Sequence, residues 1–295
     1  MADVIVVNSQ FTASVFKKSF ITIPREPSVL YPGINLEAYD TPVDYNDESV
    51  NGLHLDSKTQ VILSINRFER KKNIGLAIEA FSSLKKSYSK TFSSLTLVLA
   101  GGYDSRVSEN VNHLQELKDL ATGLGLSTHV WKKEEKIPAK TQIIFVPSFT
   151  NQQRAYLLSR ASCLLYTPSN EHFGIVPLES MYSRLPVVAC KSGGPLETIV
   201  SEVTGFLCDP TPEGFAEAIG KIISNPEKKK EMGMQGRKHV TETFSMQTFS
   251  DRLEQVVFQT KESFNADALI TYYCTVLFFC TLLPLWALSY FIKRN

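Results

Sequence analysis

From Gln60 onward the chain alternates between short apolar runs and amphipathic stretches, and this alternation limits its possible folds more than any other feature. Val61–Ile65, Leu95–Ala100, Gln142–Val146, Cys163–Tyr166 and Leu185–Ala189 are short and dominated by Val, Ile, Leu and Ala. Runs this short and this continuously apolar suit strands buried on both faces. Between them, Ile74, Ala77, Ile78, Phe81 and Leu84 recur at helical spacing, as do Val111, Leu114, Leu117 and Leu120. Gln152–Ala161, a stretch opened by Pro177 and running to Ser183, the set Phe215, Ala218, Ile219 and Ile222, and Phe249 to Phe258 complete the helices. Strands followed by helices at these spacings return parallel through right-handed crossovers. The expectation is an α/β domain with a doubly wound parallel sheet, whose ligand lies outside the carboxyl ends of its strands.

The flanks differ. Asp3–Asn8 reads as a buried parallel strand, Ser9–Thr12 offers helix caps, and Val29–Tyr31 is a second strand stopped at Pro32-Gly33. Residues 1–40 thus resemble the final βαβ unit of a domain whose beginning is absent. Asp40–Lys58 is polar and turn-rich, a linker or surface loop before the main domain of residues 41–260. Ala268 to Ile292 carries no formal charge over 25 residues. As a helix it reaches ~37 Å, beyond the ~30 Å hydrocarbon core. Its Tyr and Trp residues lie towards the ends, and a soluble terminal helix usually keeps a polar stripe, so a membrane-associated helix at 268–292 is expected over a buried one. Pro284 should kink it, and an in-plane segment turning there is the alternative to a span. Residues 1–20 lack the apolar region of a signal peptide.

Composition narrows the partners. With 31 Lys and Arg against 30 Asp and Glu, the chain has no electrostatic footprint for nucleic acid. Its five cysteines form no C-x-x-C pair, so neither a zinc site nor a disulfide framework is indicated.

Four segments each follow a strand and so converge on one sheet edge. Arg67 and Lys72, in the turn after Ile65, can hold a diphosphate with a guanidinium fork and an ammonium; a solvated basic turn explains them as well. Gly101-Gly102 permits close backbone approach to a ligand, or merely a tight turn. After Tyr166 come Glu171, on a loop, and Glu179, in the first turn of the next helix. Carboxylates accept paired hydrogen bonds from vicinal diols, as a hexose or a ribose presents. The backbone N–H groups of Phe173, Gly174 and Ile175 can meet a sugar hydroxyl or phosphate oxygen. Glu179 can equally serve the helix dipole, and His172 fits a supporting or surface role better than a general base. The Gly193-Gly194-Pro195 turn is a fourth place where amides can meet an anion, and Gly205–Leu207 reads as a tight connection.

Arg67…Lys72-Asn73, Glu171-His-Phe-Gly-Ile-Val-Pro-Leu-Glu179, Gly193-Gly-Pro-Leu-Glu197 and Thr204-Gly-Phe-Leu207 together resemble the C-terminal, donor-binding half of GT-B retaining glycosyltransferases. The wording of Ile5–Thr12, Val29–Pro32, Leu63–Asn73 and Tyr166–Glu179 is similar to the α-1,3/1,6-mannosyltransferases of the dolichol pathway. The resemblance covers Asp3 to Phe258. It implies a Rossmann-like domain, GDP-mannose as donor substrate, a dolichol-diphosphate-linked oligosaccharide as acceptor, no catalytic metal, and the cytosolic face of the endoplasmic reticulum membrane. It further implies association with other glycosyltransferases of that pathway. In its terms Arg67 and Lys72 bind the donor diphosphate and stabilise leaving-group charge, Glu171 contacts the mannose, Glu179 the ribose, and the Phe173–Ile175 backbone orients the donor. Two departures stand out. Residues 1–40 hold only the last unit of an acceptor domain, so the chain is expected to bind donor without transferring mannose alone. Trp131–Lys140 is charged where the pattern calls for an apolar strand and loop. A non-catalytic membrane-anchored module that binds nucleotide sugar, and a transferase using a UDP-sugar, remain open on the residues alone.

Overall fold

A computed structural model describes residues 4–53, 55–133 and 135–277, without the side chains of 261–268. In chain order the elements are β1 (Val6–Val7), α1 (Gln10–Ser19), β2 (Ser28–Val29), α2 (Glu37–Asp40), α3 (Glu48–Gly52), β3 (Gln60–Ile65), α4 (Ile74–Ser87), α5 (Ser89–Phe92), β4 (Leu95–Gly101), α6 (Ser108–Gly123) and β5 (Thr128–Val130). They continue through β6 (Ile143–Pro147), α7 (Asn151–Arg160), β7 (Ala161–Tyr166), α8 (Ile175–Tyr182), β8 (Val187–Cys190), α9 (Pro195–Thr198), β9 (Gly205–Cys208), α10 (Pro212–Ile223), α11 (Pro226–Phe244) and α12 (Met246–Leu277). Among the described residues β3 to β9 form one parallel seven-stranded sheet in the order β5-β6-β4-β3-β7-β8-β9.

The strand pattern explains the two cores. Successive side chains of a strand point to opposite faces. Ile62, Leu97, Phe145 and Leu165 therefore pack on one face with Ile78, Phe81 and Leu84 of α4 and Phe215, Ile219 and Ile222 of α10. Leu63, Val98, Ile144 and Leu164 pack on the other with Tyr156 and Leu157 of α7, Leu178 and Met181 of α8, and Val240 and Phe244 of α11. Burying each large apolar side chain fully contributes about 1.5–3 kcal/mol, so both faces need their helical cover. Caps fix the helix starts: Ser9 accepts from the Thr12 N–H at 2.9 Å, and Thr150 with Gln153 forms a capping box on α7.

Several elements depart from the sequence reading. Val6 is 43% exposed, so β1 is not a buried strand; it pairs in parallel with β2, apart from the large sheet. The stretch expected as a linker is packed: Val50, Leu53 and Leu55 are buried, and the Trp131 indole N–H donates to the Gly52 carbonyl at 2.7 Å. Gly205–Leu207 belongs to β9, not to a tight connection; β9 is short and pairs in parallel with β8 at the edge of the sheet. A strand does lie just before Trp131 as β5, but it is the short, half-buried Thr128-His129-Val130 rather than an apolar run, and the exposed Lys132 and Glu135 pair at 3.5 Å on the surface beyond. Helix α8 begins at Ile175 rather than Pro177, which moves Glu179 into the second turn.

Of the helix expected at 268–292, residues 278–292 lie outside the described residues. Residues 268–277 continue α12, with Leu269, Ile270, Tyr272, Tyr273 and Leu277 exposed. No helix among the described residues is long and apolar enough to cross a membrane.

Candidate functional site

Strand β3 comes first in the large sheet. From it the sheet grows one way through β4, β6 and β5 and the other way through β7, β8 and β9. The order thus reverses between β3 and β7, the position at which a doubly wound sheet leaves a crevice between the loops at its carboxyl ends. Lys72 follows β3 and Glu171 follows β7, and at this point the Lys72 ammonium forms an ion pair with the Glu171 carboxylate.

Local structure presents both groups. Lys72 ends a single 3-10 turn, Arg70–Lys72, after which Asn73 adopts a left-handed conformation with φ of 49°. The hydroxyl of buried Thr167 donates to the Lys72 carbonyl at 2.8 Å, tying that turn to the end of β7. The Glu171 carbonyl accepts from the Gly194 N–H at 2.7 Å. Its carboxylate meets the hydroxyl of Tyr166; burial first, then the Glu171 charge, push the Tyr166 phenol above its ordinary range. The Lys72 and Glu171 side chains are 14% and 25% exposed, so the pair is largely withdrawn from water but open on one side.

Helix α8 starts at the same edge. Gly174, with φ of 86°, precedes it and supplies no side-chain cap. A Cβ there would lie 3.2 Å from the Tyr166 ring, so glycine is required both by its conformation and by the ring beneath. The first amides of α8, at the carboxyl edge of β7, thus lack a side-chain cap, an arrangement that attracts anions. The Phe173 ring is buried and stacks on Tyr31 at 5.9 Å, so only its backbone belongs to the edge, whereas Ile175 is half exposed.

Arg67 lies on this edge too, but its guanidinium pairs with Glu69 at 3.2 Å, not with Glu171, and its side chain is 63% exposed. Glu179 is held in a separate cluster by the Tyr39 hydroxyl and by Arg154 Nη1 at 3.8 Å. The structure thus joins Lys72 to Glu171 directly and sets Arg67 and Glu179 on their own partners. The Gly193-Gly194 turn is not an open anion site. Gly194 donates to Glu171, and its Cβ would lie 2.2 Å from the Phe173 carbonyl oxygen, so this turn supports the Glu171 loop from behind. Gly101 likewise meets the Asn66 backbone rather than open space.

His172 Nδ1 lies 2.9 Å from the Thr12 hydroxyl, its carbonyl accepts from Ser9, and its ring meets Phe11 edge-on. It serves contact with α1, in keeping with a supporting role. Glu197, at the end of the Gly-Gly-Pro-Leu-Glu run, accepts from the Gln10 and Phe11 amides at 2.7 and 2.8 Å and from the Tyr31 hydroxyl at 3.0 Å. Burial, and then Glu197, raise the Tyr31 pKa to about 12. Sequence reasoning missed Tyr39, Arg154, Tyr166 and the anchoring role of Glu197. One signal was available for Arg154: it lies in the first turn of the helix after β6, on the same carboxyl edge as the other four segments.

The chain matches the family model "Glycosyl transferases group 1" over residues 46–239. It is 48% identical over 270 residues to "Alpha-1,3/1,6-mannosyltransferase ALG2" of Rhizomucor pusillus, covering 89% of this chain and 59% of that protein. To the Homo sapiens protein of the same name it is 47% identical over 259 residues, covering 87% and 58%. The chain therefore spans about three fifths of the length of these curated relatives. Among solved structures, sucrose-phosphate synthase from Thermosynechococcus elongatus superposes with a TM-score of 0.71 at 23% identity, covering 89% of this chain and 59% of that one. Anabaena HepE, in complex with UDP and glucose, gives a TM-score of 0.68 at 21% identity, covering 88% and 64%. At these identities the structural likeness speaks for the fold alone.

Proposed function

This chain belongs to the glycosyl transferases group 1 family, and from that premise we propose that it forms the donor-binding part of a retaining mannosyltransferase. Residues 41–260 take GDP-mannose in the crevice between β3 and β7, and residues 1–40 are the last unit of an acceptor-binding domain. The observation that carries this reading is the Lys72–Glu171 pair at the point where the strand order reverses.

The chemistry follows from the groups at hand. An arriving diphosphate competes with Glu171 for the Lys72 ammonium, while the exposed Arg67 guanidinium swings in from the β4 side with its planar fork. The α8 N-terminus adds about half a positive charge, and its amides donate to phosphate oxygens. Glu171, once released from Lys72, accepts from hydroxyls of the mannose, and Glu179 accepts from those of the ribose. When the glycosidic bond to the diphosphate breaks, the negative charge gathers on the leaving oxygens. Lys72, Arg67 and the helix amides are already in place to stabilise it, so little reorganisation is needed at the moment of reaction.

The name of the curated relatives supports mannosyl transfer; the finer assignment, which follows the resemblance, is a dolichol-diphosphate-linked oligosaccharide as acceptor, work at the cytosolic face of the endoplasmic reticulum membrane, and association with other glycosyltransferases of that pathway. These belong to the whole protein. The test on this chain is calorimetric titration with GDP-mannose and with UDP-glucose, on the unaltered chain and on Arg67→Ala and Lys72→Met. Preference for GDP-mannose, weakened by both substitutions, is expected. Equal affinity for both donors would remove the GDP assignment, and binding indifferent to both substitutions would remove the site.

A further inference from the structure

Glu179 lies four residues beyond Ile175, one turn along the same face of α8. Its side chain is only 13% exposed, and it is not left to find its own orientation. Oε1 accepts from the Tyr39 hydroxyl and lies 3.8 Å from Arg154 Nη1. Arg154 also donates to the Tyr39 hydroxyl oxygen at 3.2 Å, and its guanidinium covers the Tyr39 ring at 4.7 Å from the centroid. Three groups from α2, α7 and α8 thus close a triangle, although 140 residues separate Tyr39 from Glu179.

Both contacts fall on Oε1, which leaves the lone pairs of Oε2 for a ligand. A mobile glutamate side chain forfeits rotamer freedom on being fixed, whereas one already held loses little when a ligand arrives. Burial and the neighbouring Glu179 carboxylate raise the Tyr39 pKa, so the phenol keeps its proton and remains a donor across the neutral range.

Given the reading in which Glu179 meets the donor ribose, we propose that Tyr39 and Arg154 are positioning residues that fix the Glu179 carboxylate for the ribose 2′,3′-diol. Discrimination between ribose and deoxyribose then runs through a side chain that precedes the large sheet. Neither residue touches the ligand; each acts through Glu179.

The probes are GDP and its 2′,3′-dideoxy analogue, titrated calorimetrically against the full chain. The unaltered chain should prefer GDP by about tenfold or more, the worth of hydrogen bonds to a charged acceptor. Tyr39→Phe keeps the ring under Arg154 and removes the hydroxyl, which is both the donor to Glu179 and the acceptor of the Arg154 bond. It should cut that preference about threefold or more while leaving affinity for the dideoxy analogue unchanged. Glu179→Gln should cut the preference further, and adding Tyr39→Phe to it should change nothing more. Arg154→Lys, which keeps the charge and loses the fork, should act in the same direction as Tyr39→Phe. If Tyr39→Phe weakens both nucleotides equally, or leaves the preference intact, the positioning role is overturned and the ribose reading survives. If the unaltered chain does not distinguish the two nucleotides, or binds neither, the ribose reading fails and this inference with it.

Discussion

Replacing Glu171 by Gln should make the chain bind GDP more tightly, although the same change removes a group proposed to hold the sugar. The pair with Lys72 is intermediate between two measured regimes. Exposed ion pairs contribute about 0–1 kcal/mol, whereas breaking a buried pair by removing one partner costs about 3–5 kcal/mol. At 14% and 25% exposure the Lys72 and Glu171 side chains lie nearer the buried case, with water still reaching one side. A competing interaction of about 1–2 kcal/mol follows, and a diphosphate that no longer has to displace the carboxylate should regain most of it. The expected gain in GDP affinity is about tenfold, since 1.4 kcal/mol is one decade. GDP-mannose should gain less, because the amide accepts less strongly from sugar hydroxyls than the carboxylate did. Lys72→Met should do the opposite, weakening GDP and leaving the Glu171 charge without its ammonium. Calorimetric titration of both ligands against the three chains reads all of this. GDP affinity unchanged or reduced in Glu171→Gln would refute the argument that the carboxylate and the diphosphate compete for one ammonium.

Three further outcomes follow from the same geometry. Gly194→Ala places a methyl group 2.2 Å from the Phe173 carbonyl oxygen, a backbone atom that cannot swing aside, and should destabilise the chain by about 2 kcal/mol or more in denaturant titration. Glu197→Gln removes the charged acceptor of two α1 amides and should cost about 1–2 kcal/mol, seen as faster hydrogen exchange at Gln10 and Phe11. Burial lowers the His239 pKa, while its ring nitrogen Nε2 lies 3.2 Å from the Thr198 carbonyl oxygen. Below about pH 6.5 the unfolded chain therefore binds more protons than the folded one at this site, and stability falls as pH falls. His239→Gln should flatten the decline between pH 7 and pH 5 in pH-dependent thermal melts.

The sheet was legible because each of its buried strands is a near-continuous apolar run, and the positions of Lys72 and Glu171 at strand ends follow from that alone. Elements that pack partly through glycine or polar contacts were less legible. Helix α11 buries Met232, Val240 and Phe244, but it approaches α8 through Gly233 and Gly236, whose missing side chains let it come within reach of the Arg184 carbonyl and Met181 and break the apolar periodicity. Strand β9 has four residues and opens on Gly205, which sits directly against the Val187 backbone. Tyr39 was hidden for another reason. It lies in a polar stretch, and only the folded sheet brings that stretch to α8.

The same reasoning separates two kinds of residue at the candidate site. Lys72, Arg67, Glu171 and the α8 amides follow strands, so the topology of a doubly wound sheet delivers them to one edge whatever their partners are. Tyr39, Thr12 and Ser9 are brought there from the first forty residues by polar contacts: the Tyr39 hydroxyl on Glu179, Thr12 and Ser9 on His172, and Arg237 on Asp40 at 2.6 Å. Glu197 reaches back the other way to the α1 amides. Hydrogen bonds demand direction and distance, whereas apolar contacts tolerate sliding. A unit docked by several directed bonds, those on His172 ending next to Glu171 and that of Tyr39 ending on Glu179, sets the geometry of the carboxylates as it docks. Loosening that dock, as Glu197→Gln or Tyr39→Phe does, should therefore change how the crevice holds a nucleotide before it changes whether the sheet folds.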